Sequence, residues 1–364
     1  MRIAVDDQIF SMHRKGGISR YFTELLKQFS TNSEIAVTTP FRFIVNDHLH
    51  EAFPGRYVHI PKPRRLPARP LIELLNLVQT KSHGRVDLVH HTYYNAGRLS
   101  LFPGARRVCT IHDMIPEMFP DLFPLGNPHR EKLRYVSECD AILCVSETTK
   151  KDLERIYGPY DKPVLVTYLG VDPTFYAPAV GRPALNYPYV LYVGARKGYK
   201  NFNLLARAFA RVNSDALDLH LVCIGGGGFT SQETSVFDDL GISRNVHRFQ
   251  PSDAELPQYY SHAKMLCFPS RYEGFGLPLV EAFAAGCPTI IADTPCLVEI
   301  ADGASAIVDP DDDEGLAEVI LRLSRDSTFA ETLISAGRGR SQQFTWQSTA
   351  RQSVAAYRRI LADS

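Results

Sequence analysis

Short apolar runs of strand length alternate with stretches of helical period along almost the whole chain. This alternation restricts the fold more than any other feature of the sequence. RIAV at the start is followed by the helix-like GISRYFTELLKQF, and then come EIAVTT, VDLVHH, RVCTIH, AILCV and VLVTYL. An uninterrupted apolar run bounded by turn residues reads as a strand buried on both faces, and helical segments between such strands make the connections parallel crossovers. The expected class is α/β, with parallel sheets covered by helices.

The alternation pauses once. After Leu169 the stretch GVDPTFYAPAVGRPALNYPY is rich in Pro and Gly and has no period, as a linker does. It then restarts with YVLYVG, LHLVCIG, NVHRF, KMLCF, PTIIA and SAIV, separated by helical stretches such as NLLARAFARV and GLPLVEAFAAG. Two α/β domains follow, residues 1–170 and 171–345, with the deepest cleft expected between them. A length of 364 residues is that of two ordinary domains. The last segment, from Trp346, has Ala350, Val354, Tyr357 and Leu361 at helical spacing with no strand after it, and its pattern fits a cap on either domain.

Charge excludes one class of partner. Lys plus Arg and Asp plus Glu are equal at 40 each, which removes the electrostatic case for a nucleic-acid binder. The balance hides an asymmetry: residues 1–170 carry 23 basic against 18 acidic side chains, and residues 171–364 carry 17 against 22. The seven cysteines lie mostly in strand-like runs without C-x-x-C spacing, and read as small buried hydrophobes in a reducing compartment. The start MRIAVDDQIF lacks the apolar core of a signal peptide and no apolar run reaches the length of a spanning helix, so a cytoplasmic protein is expected.

Four stretches carry candidate chemistry. SRYEGFGLPLVEAFAAG, residues 270–286, sets Glu273 and Glu281 eight positions apart around the turn Phe275-Gly276-Leu277. A glycine turn opening a helix offers free N–H groups and the positive end of the helix dipole, which suits a phosphate. The plain alternative is a tight turn with two solvated glutamates. VGARKGYKN places Arg196 and Lys200 just past a strand, where their charges suit a diphosphate. Gly16-Gly17 precedes an amphipathic helix and fits either a close backbone approach to a ligand or a simple turn. His112, at a strand end in VCTIHDMIPEMFP, fits either a site or a hydrogen-bonded core histidine.

Other signals are weaker. Asp311-Asp312-Asp313 directly precedes a helical stretch and is better explained by helix-start acids than by a metal site. The tetraglycine at residues 225–228 lacks the dinucleotide fingerprint, and His90-His91 has nothing nearby to complete a metal site. No metal is expected.

In order, spacing and strand context these elements resemble the family-4 retaining glycosyltransferases of the GT-B fold over essentially the whole length. That resemblance implies two Rossmann-like domains facing each other, an N-terminal one for the acceptor and a C-terminal one for the donor, with the final helix 346–364 returning to the first. It implies that Arg196 and Lys200 hold the donor diphosphate with backbone help near Phe275, Gly276 and Leu277. Glu281 is implied to bind the ribose and Glu273 the donor sugar, with His112 near the transferred sugar and Gly16 and Gly17 by the phosphates. No cofactor is implied beyond the nucleotide-sugar co-substrate.

Within that family GGISRYF, TIHDMIPEMFP and VGARKGYKNF look most like bacterial enzymes adding mannose or a related hexose to glycan or lipid-linked intermediates of O-antigen, capsule or exopolysaccharide. This favours a GDP-linked donor. A UDP-sugar transferase, a GT-B epimerase or a non-catalytic nucleotide-sugar binder are the alternatives, and a dehydrogenase is disfavoured by the missing fingerprint. Finally, GRYVHIPKPRRLPAR at residues 55–69 holds Arg56, Lys62, Arg64, Arg65 and Arg69 without an acid, so peripheral contact with the inner membrane surface stands beside a solvated Pro-rich loop as a reading.

Overall fold

The computed structural model describes the chain apart from residues 61–67, 82, 178–184, 197, 214–217 and 363–364. The chain folds into two compact units, Met1–Gly170 with Trp346–Ser364, and Val171–Thr345.

The first unit is built on strands β1 (Arg2–Val5), β2 (Ala36–Thr38), β5 (Leu88–His91), β6 (Arg106–Ile111), β7 (Ala141–Cys144) and β8 (Val164–Val166). They form one sheet in the order β2-β1-β5-β6-β7-β8, and every pairing is parallel. A separate two-stranded piece joins β3 (Phe43–Ile44) to β4 (Val58–His59). Central strands of a parallel sheet are covered on both faces, which is why Ala141–Cys144 is buried at all of its positions rather than alternately. The helix Gly17–Ser30 buries Tyr21, Phe22, Leu25, Leu26 and Phe29 along one face. Against it lies the final helix, Trp346–Ala362, whose Trp346 and Tyr357 rings meet Tyr21 and Phe29 at centroid distances of 6.4 and 6.1 Å.

The second unit holds β9 (Tyr189–Val193), β10 (His220–Ile224), β11 (Val246–Phe249), β12 (Met265–Phe268), β13 (Thr289–Ala292) and β14 (Ala306–Val308), ordered β11-β10-β9-β12-β13-β14 and again all parallel. Its core is one continuous apolar cluster in which Phe202, Leu205 and Phe209 from the helix Phe202–Asn213 pack with Leu316 and Ile320 from Asp313–Arg325. All seven cysteines are buried free thiols. Among the described residues, no helix is long and apolar enough to cross a membrane.

Each sheet has one point where successive connections leave in opposite directions, β1/β5 in the first unit and β9/β12 in the second. The carboxyl ends of the strands part there, and open α/β sheets place ligands in the resulting crevice.

Candidate active site

In the second unit, Lys200 closes a short turn, Gly198–Lys200, just after β9, and Glu273 follows β12. They therefore come from the two sides of the switch point. The Lys200 ammonium donates to Glu273 Oε1 at 2.5 Å. The two loops are also joined by the Arg271 N–H bonding the Tyr199 carbonyl at 2.8 Å. Lys200 Nζ lies 5.4 Å from the ring centroids of Tyr199 and Phe268, so apolar walls shield the pair and strengthen its attraction.

The helix Leu277–Ala285 opens beside this pair. Gly276 caps it at φ 98°, in the left-handed region, and a side chain added there would meet Leu297 Cδ2 at 3.1 Å and Phe268 Cε1 at 3.3 Å. Pro278 brings no N–H and the Leu279 N–H bonds back to the Gly276 carbonyl at 2.9 Å. Among the described residues, the Gly276 and Leu277 N–H groups at this helix start have no acceptor. Phe275 is buried with its ring edge-on to Phe344 at 5.5 Å, which anchors the turn. Glu281 is the one charged side chain in an otherwise apolar buried helix, and it accepts a hydrogen bond from the Tyr260 hydroxyl at 2.8 Å.

Arg196 is not brought to Lys200 and Glu273. It leaves β9 toward β10, where its Nε donates to Glu233 at 2.5 Å. Its terminal nitrogens bond the carbonyls of Gly225, Gly227 and Gly228 at 3.0, 3.2 and 2.9 Å. Its guanidinium carbon sits 4.8 Å from the Phe229 ring centre. The tetraglycine is thus an arginine cradle: Gly225, Gly226 and Gly227 all have positive φ, and a Cβ at Gly226 would lie 2.7 Å from the guanidinium. Burial pushes the Glu233 carboxyl up, but hydrogen bonds from Arg196 and Thr230 outweigh it and hold the pKa below the usual glutamate range. Glu233 is absent from the candidates that the sequence singles out. Its signal is Thr230-x-x-Glu233, which forms a capping box on the helix Ser231–Asp239.

Asp312 caps the helix Asp313–Arg325 through the N–H groups of Glu314 and Gly315, while Asp311 and Asp313 pair with Arg271, Arg207 and Arg211. The three acids are helix-start and ion-pair residues.

In the first unit, Gly16 is extended and open to solvent, and its carbonyl accepts from the Arg20 N–H and the Ser19 hydroxyl, both at 3.0 Å. Gly17 begins the helix. His112 follows β6 with its ring edge-on to Tyr21 at 5.1 Å. Its Nε2 is shielded from solvent and has no hydrogen-bond partner among the described residues, and burial pulls its pKa down to about 3. The ring is neutral. His90 and His91 hold the sheet together rather than a metal: His90 lies 2.7 Å from both the Tyr357 and Thr110 hydroxyls, and His91 lies 2.7 Å from Asp6.

Comparison with known proteins agrees with this architecture. The profile of Glycosyltransferase Family 4 matches residues 15–175 and that of Glycosyl transferases group 1 matches 178–340. The chain is similar to O-antigen chain mannosyltransferase B of Escherichia coli, 25% identical over 75% of this chain and 74% of the relative. It is 30% identical to D-inositol 3-phosphate glycosyltransferase of Thermobifida fusca over 76% of this chain and 70% of the relative. Among solved structures, sucrose-phosphate synthase from Thermosynechococcus elongatus superposes over 100% of both chains with a TM-score of 0.76 at 21% identity. WaaG, a glycosyltransferase involved in lipopolysaccharide biosynthesis, covers 98% of this chain and 99% of its own with a TM-score of 0.72 at 16% identity. With two parallel-sheet units, both family profiles and a relative at this identity, the chain belongs to the family-4 glycosyltransferases of the GT-B fold.

Proposed function

We propose that this protein is a retaining, metal-independent hexosyltransferase. It moves mannose or a related hexose from a nucleotide-diphosphate sugar, GDP-linked, to a glycan or lipid-linked acceptor of cell-surface polysaccharide. The observation that carries this reading is the Lys200–Glu273 pair at the second unit's switch point, beside the helix start at Gly276 and Leu277. A cation and two backbone donors suit the charge that grows on a departing diphosphate, and Glu273, paired with Lys200, is the carboxylate that accepts sugar hydroxyls. Glu281, already oriented by Tyr260, accepts from the ribose. Arg196 joins the diphosphate by exchanging Glu233 for phosphate.

In this reading the bond from the sugar's anomeric carbon to the diphosphate breaks as the bond to the acceptor oxygen forms on the same face. The acceptor proton passes to the departing phosphate oxygen. No protein base is assigned, and His112, neutral, serves as a hydrogen-bonding neighbour of the sugar. The choice of mannose rests on relatives named mannosyltransferases.

We read the protein as acting at the cytoplasmic membrane face. The basic run 55–69 supports this, although residues 61–67 lie outside the described residues. The helix Ala68–Lys81 that follows leaves Leu71, Leu74, Leu75 and Val78 exposed along one stripe while burying Ile72, Asn76 and Thr80.

Calorimetric titration with GDP, UDP, ADP and NAD tests the donor. GDP is expected to bind most tightly and Lys200→Ala to weaken it. A preference for UDP overturns the donor assignment alone, and tight NAD binding overturns the transferase.

A further inference from the structure

The turn that carries Lys200 ends on a residue with unusual backbone. Among the described residues, Asn201 and Asp302 are the two non-glycine residues with positive φ, at 55° and 46°. Asp302 closes the helix Pro295–Ala301, a common place for left-handed backbone. Asn201 instead stands between Lys200 and the entry of the helix Phe202–Asn213, where an extended residue is the rule. Such conformations persist only where the surroundings hold them, and they gather at functional sites. We propose that Asn201 is a positioning residue for Lys200, which it aims at Glu273 by tying the Gly198–Lys200 turn to the loop after β14.

The backbone and the side chain of Asn201 each make one tie. Its N–H bonds the Gly198 carbonyl at 3.1 Å, which ends the turn directly after Lys200. Its side-chain amide donates to the Pro310 carbonyl at 2.7 Å. Asn201 is 8% exposed, so water does not readily replace that donor. Pro310 is itself held firmly. The Asp311 N–H bonds Asp309 Oδ1 at 2.7 Å, Asp312 caps the helix Asp313–Arg325, and Asp313 pairs with Arg207 and Arg211 of the helix Phe202–Asn213.

The same loop also reaches the Glu273 side of the pair. Arg271, two residues before Glu273, donates to Asp311 at 2.5 Å, and its N–H bonds the carbonyl of Tyr199, the residue before Lys200. The segments after β9, β12 and β14 are therefore joined to one another pairwise. The Arg271–Asp311 pair is largely in water, with the Asp311 side chain 74% exposed, and contributes little. The enclosed Asn201–Pro310 bond is the stronger link to β14. Asparagine meets both needs of this position: it tolerates left-handed backbone, and its amide donates where an aspartate carboxylate cannot. Glycine meets only the first.

That Lys200 acts on a diphosphate rests on the transferase reading, whereas its alignment by Asn201 does not. Two measurements on the full chain keep these apart. The first is a double-mutant cycle of Lys200→Met and Glu273→Gln in urea unfolding, run in the wild type and in Asn201→Gly, which permits the left-handed backbone and loses the amide. The pair is expected to couple by about tenfold in the unfolding constant in the wild type, and by less than about threefold in Asn201→Gly. The cycle cancels any general loss of stability from the glycine. The second is calorimetry with GDP, or with UDP where the wild type prefers it. Asn201→Gly is expected to weaken binding about tenfold where Lys200 is present and to add nothing in Lys200→Met. A purely structural role changes both backgrounds alike. Coupling in Asn201→Gly equal to that of the wild type, or affinity changed by the same factor with and without Lys200, overturns the proposal and leaves the transferase standing. Coupling lost in Asn201→Gly, with neither GDP nor UDP bound by the wild type, supports the proposal and overturns the transferase.

Discussion

Lys200 and Glu273 stand 73 residues apart in sequence and meet at 2.5 Å, one from each side of the point where the second sheet reverses its winding. Each holds the other in place, and Glu273 precedes by three residues the Gly276 cap of the helix Leu277–Ala285. In the proposed reaction Lys200 acts on the diphosphate and Glu273 on the sugar. Lys200→Ala and Glu273→Ala should therefore each lower turnover by at least an order of magnitude, since one preorganised electrostatic contact is worth about 3 to 4 kcal/mol. Circular dichroism should show the fold retained. Turnover near wild type in either variant contradicts the assignment.

Arg196 should respond differently. Its guanidinium ties the end of β9 to the tetraglycine turn and to Glu233, so Arg196→Ala should destabilise the second unit, by about 1.5 to 3 kcal/mol for the charged hydrogen bonds lost. Arg196→Lys should recover little of this, because an ammonium cannot span Glu233 and three carbonyls at once. Urea unfolding of both variants beside Lys200→Ala is the measurement. An Arg196→Ala midpoint equal to that of wild type is the contrary result.

Transfer should survive chelation. In the proposed reaction the positive charge that a metal supplies elsewhere is assigned to Lys200, to the donors of Gly276 and Leu277 and, once released, to Arg196. Assay in EDTA should leave turnover within about twofold of the untreated enzyme, a margin well below the cost of one lost charge contact. Loss that Mg²⁺ or Mn²⁺ restores is the result that contradicts metal independence.

Stability should fall in mild acid. His90 is enclosed between Tyr357 and Thr110, and burial pulls its pKa down to about 3; burial does the same to His112, also to about 3. Both sit below the value of about 6.5 for an unfolded histidine, so between those limits the unfolded chain binds more protons than the folded one. The stabilisation is complete above about pH 6.5 and is lost as pH falls toward 3, at up to about 1.4 kcal/mol per unit for His90. Urea midpoints measured from pH 7.5 to 5 should decline, and a flat profile contradicts this account.

Membrane contact should depend on the exposed stripe of Ala68–Lys81. Co-sedimentation is expected with anionic vesicles at low salt and not with neutral ones, because each basic side chain near an anionic surface contributes about 1 kcal/mol. Replacing Leu71, Leu74, Leu75 and Val78 with Ser should abolish it, since these side chains are already in water and have little packing to lose. Equal recovery in the supernatant with both vesicle types ends the reading.

The fold class was legible in the sequence because the period of apolar residues is local: AILCV and KMLCF read as buried parallel strands without knowledge of their neighbours, and β7 and β12 are buried throughout. The helix-start role of Asp312 was legible for the same reason, since a cap acts within one turn of its own residue. Which strands pair, and hence where each sheet reverses, depends on long-range packing that no window of sequence contains. So does the partner of Arg196. VGARKGYKN puts it four residues from Lys200, yet the tertiary structure sends the two side chains to opposite sides of β9, because the tetraglycine after β10 leaves room for a guanidinium and Glu233 supplies its counter-charge. Likewise His13, Tyr93, Asn95 and Glu131 carry no common motif, and only the β1/β5 crevice gathers them around one cavity.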